Sequence, residues 1–149
     1  MSSVEFFTFV KEHLKDEGVM VVNMNMKGAS EGNINQYLSD TIASVFGHVY
    51  TVDVANNTNR ELFASDNPNM IEDFRRNSKA EDNPKLKDMI NKVDKGFEKY
   101  YAGDYLMTDD KAPVELLGMK VIDELIHDEV VYYKGIFKKE GLKGLLSML

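Results

Sequence analysis

The chain contains no cysteine. Disulfides, thiolate nucleophiles, iron–sulfur clusters and cysteine-type zinc sites are thereby excluded, and a reducing, cytoplasmic setting is the expectation. No apolar run approaches the ~18 residues that a membrane-spanning helix needs. The N-terminus has no basic region followed by an apolar stretch, so no signal peptide is expected either. Positive charge is in deficit: 18 Lys and Arg stand against 25 Asp and Glu, a net charge of −7. Binding to nucleic acid relies on neutralising phosphates with Lys and Arg, so this balance argues against it and suits cationic partners such as amines. What remains is an ordinary globular composition, 149 residues with 43% hydrophobic and 29% charged, enough for one domain with a real core.

Hydrophobic spacing organises the chain. The opening "SSVEFFTFVKEHLKDEG" predicts a helix, with Ser2 and Glu5 as a capping box and Gly18 as its stop. "VMVVNMNM", Val19 to Met26, predicts a strand that is apolar on both faces in its first half. Asn33 with Gln36 opens a second helix that ends at Gly47. "HVYTVDV" and "RELFASD" predict two strands joined by the short "ANNTN" turn, an antiparallel hairpin. The one glycosylation sequon, Asn56-Asn57-Thr58, falls in that turn and reads as ordinary loop.

The second half predicts helices only. Asn67 and Pro68 read as N-cap and first residue of one helix, and Asn83 and Pro84 repeat that start for another. In the latter, Leu86, Met89, Ile90, Val93, Phe97 and Tyr100 line one face. Residues 102–109 read as loop. A long helix runs from Pro113 to about Lys139, its apolar face including Val121, Ile122, Leu125, Ile126, Tyr133 and Phe137, and "EGLKGLLSML" is an apolar tail expected to dock on the body. The expected division is an α/β portion, 1–66, with a helical C-terminal extension, 67–149, packed on it as a single domain. A three-strand sheet leaves two edges, and Val19 to Val22 would make an unusually hydrophobic one, so a second copy or a missing part of the protein is expected beside Val19–Met26.

Four stretches, "EFFTFVKEHLKDEGVMVVNMN", "INQYLSDTIASVFGHVYTVDV", "NRELFASD" and "LMTDDKAPVELL", together resemble the spermidine synthase-like family, most specifically through "TDDKAPVE", Thr108 to Glu115. The resemblance implies an α/β fold: the C-terminal part of a methyltransferase-type doubly wound sheet, about three strands of which the last two form an antiparallel hairpin. It implies a transferase that moves an aminopropyl or methyl group from S-adenosylmethionine or its decarboxylated form. It places Asp109, Asp110 and Glu115 on the substrate side of the pocket, where acids suit a polyamine. The family's glycine-rich adenosyl turn, its ribose-binding acid and its catalytic aspartates belong to an earlier half that has no counterpart here. No catalytic, cofactor-binding or metal residue is therefore expected in this chain, and the chain alone is expected to be inactive.

The residues themselves leave two readings of Asp109 and Asp110. Carboxylates just ahead of a helix favour its free N–H groups and dipole, and Ala112 before Pro113 marks a helix boundary. Alternatively they face a charged substrate. Gly28-Ala29-Ser30-Glu31-Gly32 is not a G-x-G-x-x-G turn, and Glu31 repels anions. Glu124-x-x-His127 has the spacing of half a carboxylate metal site without the rest. Tyr100, Tyr101, Tyr105, Tyr132 and Tyr133 read as packing residues. Two other functions stay open: a non-catalytic module that self-associates as a homodimer, and a polyamine-binding pseudoenzyme.

Overall fold

A computed structural model describes residues 2–25, 31–54, 59–111 and 114–146. The expected strand end at Met26, the loop 27–30, the sequon, the Ala112–Pro113 boundary and the last three residues of the tail lie outside the described residues, as do the side chains of Val121 and Leu125. In chain order the elements are α1 (Val4–His13), β1 (Met20–Asn25), α2 (Ile34–Val45), β2 (His48–Asp53), β3 (Asn59–Ser65), α3 (Met70–Ser78), α4 (Pro84–Gly96), β4 (Glu98–Lys99) and α5 (Val114–Leu146). None of the described helices is long and apolar enough to cross a membrane.

The sheet has the order β1-β3-β2-β4, and each neighbouring pair is antiparallel. The β2–β3 hairpin forms where the turn residues place it, with Asp53 opposite Arg60 and their side chains joined by two hydrogen bonds. Four strands replace the expected three. The extra one comes from a stretch expected to be helical: α4 ends at Gly96, and Phe97 turns to extended backbone (φ −63°, ψ 117°). The reason is aromatic packing. The Phe97 ring lies 5.3 Å from both Phe63 and Phe74 and 6.1 Å from Tyr50, edge-on in each case. That anchor draws Glu98 and Lys99 alongside Thr51 and Tyr50, so Tyr100 leaves the helical face assigned to it.

Period-two alternation sorts the strands onto two layers. Met24, Val49, Leu62 and Ala64 point to one face and form the main core with Phe7 of α1 and Ile42 of α2, joined by Phe46. Tyr50 and Phe63 point to the other, where Phe74 and Phe97 cover them. Strand β1 is at the sheet edge, paired only to β3 among the described residues, and Val21 on its second face is 54% exposed.

Side-chain caps start α1, α2 and α4, and two helix starts are displaced from the expected residue. Ser3, not Ser2, caps α1, because its Oγ accepts from Phe6 N at 3.2 Å while Glu5 accepts from the distant Asp109 N at 3.1 Å. Asn69, not Asn67, precedes α3. Asn67 spends its side chain on a turn, accepting from Asn69 N and donating to Asp73, which leaves Pro68 outside the helix. Asn33 and Asn83 cap α2 and α4 as expected, each accepting from a backbone N–H of the first turn. Helix α5 runs past Lys139 but is broken at Gly141, whose φ of 64° is left-handed. Beyond the break Leu142 is exposed rather than docked.

From Tyr100 to Asp109 the chain has no regular structure, yet it is strapped to α2. Buried Asp40 accepts from Tyr100 Oη at 2.7 Å and from Tyr105 N at 3.1 Å, and Thr41 Oγ1 accepts from Met107 N at 3.0 Å. Gly103 lets the strap approach: a Cβ there would stand 2.5 Å from Asp40 Oδ2. Gly103→Ala should therefore cost about 1–3 kcal/mol of stability, by displacing a buried, bonded carboxylate. Gly118→Ala, in the open on α5 with nothing within 4 Å of the new methyl, should instead be neutral or stabilising by about 0.5–1 kcal/mol. Urea unfolding followed by circular dichroism measures both.

Candidate functional site

In open, mostly parallel α/β sheets ligands bind outside the carboxyl ends of the strands, whereas the neighbouring strands described here are all antiparallel. The carboxyl end of β1 leads through the stretch 26–33 into the N-terminus of α2. Glu31 stands just ahead of α2, one residue before Gly32 and two before the Asn33 cap. Tyr105 is brought to it by the strap, although 74 residues separate the two: its hydroxyl donates to Glu31 Oε1 at 3.3 Å. The Tyr105 ring also stacks obliquely on Tyr37, centroids 5.0 Å apart. The Glu31 charge pushes the Tyr105 phenol above its ordinary pKa, since ionising it would set two negative charges side by side. Two tyrosine faces beside an exposed carboxylate are a suitable receptor for an ammonium group.

The residues singled out in the sequence lie further along the same strap. Four peptide steps carry the chain from Tyr105 to Asp109, which bounds their separation at about 14 Å. Asp109 receives a hydrogen bond from Ser3 Oγ, and its backbone N donates to Glu5, so it ties the strap to the start of α1. Val4 N donates to Met107 O at 2.8 Å and completes that tie. Asp110 occupies the tip of a tight turn closed by the Thr108–Lys111 bridge, and its side chain is exposed. Glu115 is exposed in the first turn of α5. The structure thus assigns Asp109 a helix-start contact, though the helix is α1 and not the one that follows it in sequence. Among the described residues the exposed tip carboxylate Asp110 makes no structural bond of that kind.

Tyr37 and Asp40 are not singled out in the sequence, where Tyr105 reads as a packing residue and Glu31 as a charge that repels anions. Nothing in the spacing could have paired them, because the 37–41 face of α2 meets residues some 65 positions away. Among the described residues no group of three or more His, Cys, Asp or Glu side chains could hold a metal. The described residues also offer no fit to an S-adenosyl group at this strand end. Gly32 has a positive φ of 69°, but the space above it is filled by the Tyr105 ring, 3.3 Å from where a Cβ would be.

Beneath this corner, burial and the neighbouring Asp40 carboxylate push the Tyr100 phenol up to about 12. The unfolded chain releases that proton near pH 10, so between about pH 10 and 12 the folded state holds more protons than the unfolded one and loses stability as pH rises. Ultraviolet titration should show one of the seven tyrosines ionising last. Tyr100→Phe should remove that late component and flatten the decline of stability over the same window.

Three comparisons with known proteins bear on the chain as a whole. No family model matches the chain, and no solved structure matches it. A protein of Bifidobacterium longum (strain NCC 2705), described as a "Probable polyamine aminopropyl transferase", is 47% identical over 166 aligned positions, which cover 98% of this chain and 36% of that protein. The chain thus spans about a third of its relative's length. Identity at that level along virtually the whole chain bears out the spermidine synthase-like resemblance read from the residues: the chain is similar to a part, the C-terminal one, of a protein described as a polyamine aminopropyl transferase.

Proposed function

We propose that this chain is the acceptor-side portion of an aminopropyltransferase, a protein that moves an aminopropyl group from decarboxylated S-adenosylmethionine to an amine. The observation that carries this reading is the match of 98% of the chain to part of a polyamine aminopropyl transferase. The geometry supports it. An acidic and aromatic corner, built from Glu31, Tyr37 and Tyr105, stands at the start of α2. Asp109 follows within about 14 Å of Tyr105 along the strap, bonded to Glu5 and succeeded by the outward Asp110, and a polyamine carries the opposite charge.

In this reading the sheet is the last part of a methyltransferase-type doubly wound sheet, and β1 pairs through its open edge with a strand of the preceding portion. Two features support that. Val19 and Val21 of the edge are substantially exposed. A groove of about 320 Å³, with Val19, Val21, Phe63, Met70, Phe74 and Phe97 among its lining, lies open beside the same strand. Donor binding and the catalytic carboxylates reside in the preceding portion, so this chain alone is inactive. Asp110 and Glu115 add negative charge at the mouth of the site, while Asp109 mainly holds the strap to α1.

The test is aminopropyl transfer to putrescine by the complete protein, followed by mass spectrometry. The complete protein should turn over and the present chain should not. Glu31→Gln in the complete protein should raise KM for the amine roughly 10-fold or more with a smaller change in kcat, as loss of one charge-assisted contact worth about 1.5–3 kcal/mol requires. Asp110→Asn should raise KM more weakly, without the loss of stability expected for Asp109→Asn. Turnover by this chain alone, or an unchanged KM in Glu31→Gln, would contradict the assignment.

A further inference from the structure

Helix α5 carries a surface that neither the fold nor the transferase reading uses. Met119, Ile122, Ile126, Val130, Tyr133 and Phe137 are each between 43% and 60% exposed. At about 100° per residue they fall within an arc of about 80°, a straight apolar stripe. From 119 to 137 the helix rises about 27 Å. The helix packs on α2, but this stripe is turned away from the body. Large contiguous apolar patches are rarely left in water.

The charges of α5 say what fits over it. Residues 115–129 carry five carboxylates and one lysine, while residues 130–146 carry four lysines and one glutamate. Complementing the helix dipole explains charges in the first and last turns only, and this segregation extends through the whole helix. A parallel partner copy would set acid against acid and lysine against lysine. An antiparallel copy sets the acidic half of each helix on the basic half of the other.

We infer that α5 is a self-association surface, on which a second copy of this chain docks antiparallel about a two-fold axis beside Val130. In that register Ile122 meets the copy's Phe137 position, Ile126 meets its Tyr133 position, and the two Val130 side chains face each other. Asp123 then flanks Lys134 of the other copy. Glu129, next to the axis, faces its own counterpart, which is the one like-charge contact that the register creates. A helix pair with facing apolar stripes of this length has the geometry of an antiparallel two-helix seam.

The native chain has no cysteine, so introduced thiols report the register directly. Sedimentation of the chain at micromolar concentration should give twice the 17.0 kDa monomer mass. Ile126→Lys, at a position exposed in the monomer, should leave the circular dichroism of the fold intact and weaken the dimer at least 10-fold. Glu129→Gln should tighten it. On mild oxidation Val130→Cys should link to itself. Ile122→Cys should not, yet it should link to Phe137→Cys when the two proteins are mixed. A parent chain that stays monomeric at 100-fold higher concentration would overturn the inference, and would leave the stripe to the additional length that the longer relative possesses. Self-linking of Ile122→Cys would overturn the antiparallel register. A dimer unaffected by Ile126→Lys, with β1 protected from hydrogen exchange, would place association at the sheet edge instead. None of these outcomes depends on aminopropyl transfer, so this inference and the proposed function fail separately.

Discussion

Asp40 is the residue on which the rest of the arrangement depends. A carboxylate with 2% exposure is costly unless its oxygens are bonded. Here they are bonded by Tyr100 Oη and Tyr105 N, both from the irregular stretch between β4 and α5. Asp40 thus converts a loop into a strap of fixed path, and Thr41 extends the fixation to Met107. Everything further along inherits its position from that tether. Tyr105 arrives over Gly32 and Glu31, Met107 bonds to Val4, and Asp109 reaches Ser3 at the start of α1. The close pass of Gly103 over the Asp40 carboxylate shows how little space the tether leaves.

The fold is well packed in its middle and open at two places. Its core lies between the sheet and the pair α1 and α2, where Ile42 and Leu62 are fully buried. The open places are the outer edge of β1, with the groove beside it, and the outward stripe of α5. They differ in kind. The β1 edge offers backbone hydrogen-bonding groups as well as apolar side chains, so it suits another strand. The α5 stripe is side-chain surface alone, with segregated charge, so it suits a helix of opposite direction. Continuation of the sheet by more of the protein and pairing of two α5 helices are geometrically separate and compatible.

Charge links the fold to the proposed chemistry. A net charge of −7 is spread over the whole chain, but the strap concentrates part of it. Glu31, Glu5, Asp109 and Asp110 come from three distant parts of the sequence and meet along one short path. Asp53 and Asp66, by contrast, are held below the ordinary carboxylate range by Arg60 and Lys11, and their charges are neutralised locally. The Glu31 and Asp110 carboxylates lack such a cationic partner among the ion pairs of the described residues.

Local chemistry was legible in the residues because its causes are local. The α1 and α2 periodicity, the Asn33 and Asn83 caps, the two-faced apolar pattern of β1 and the 48–65 hairpin each depend on neighbours within a few positions. So did the "TDDKAPVE" string that pointed to the spermidine synthase-like family, and the match to a polyamine aminopropyl transferase agrees with it. Tertiary contacts decided the rest. Phe97 left the helix because three rings on the sheet and on α3 outweighed one more helical turn. Pro68 stayed outside α3 because Asn67 found a partner in Asp73. Asp109 served α1, more than a hundred residues earlier, because the Asp40 tether delivered it there. Sequence spacing governs what a residue does to its own turn of chain. Which distant residue it will meet is set by packing, and the corner of Glu31 and Tyr105 exists only at that level.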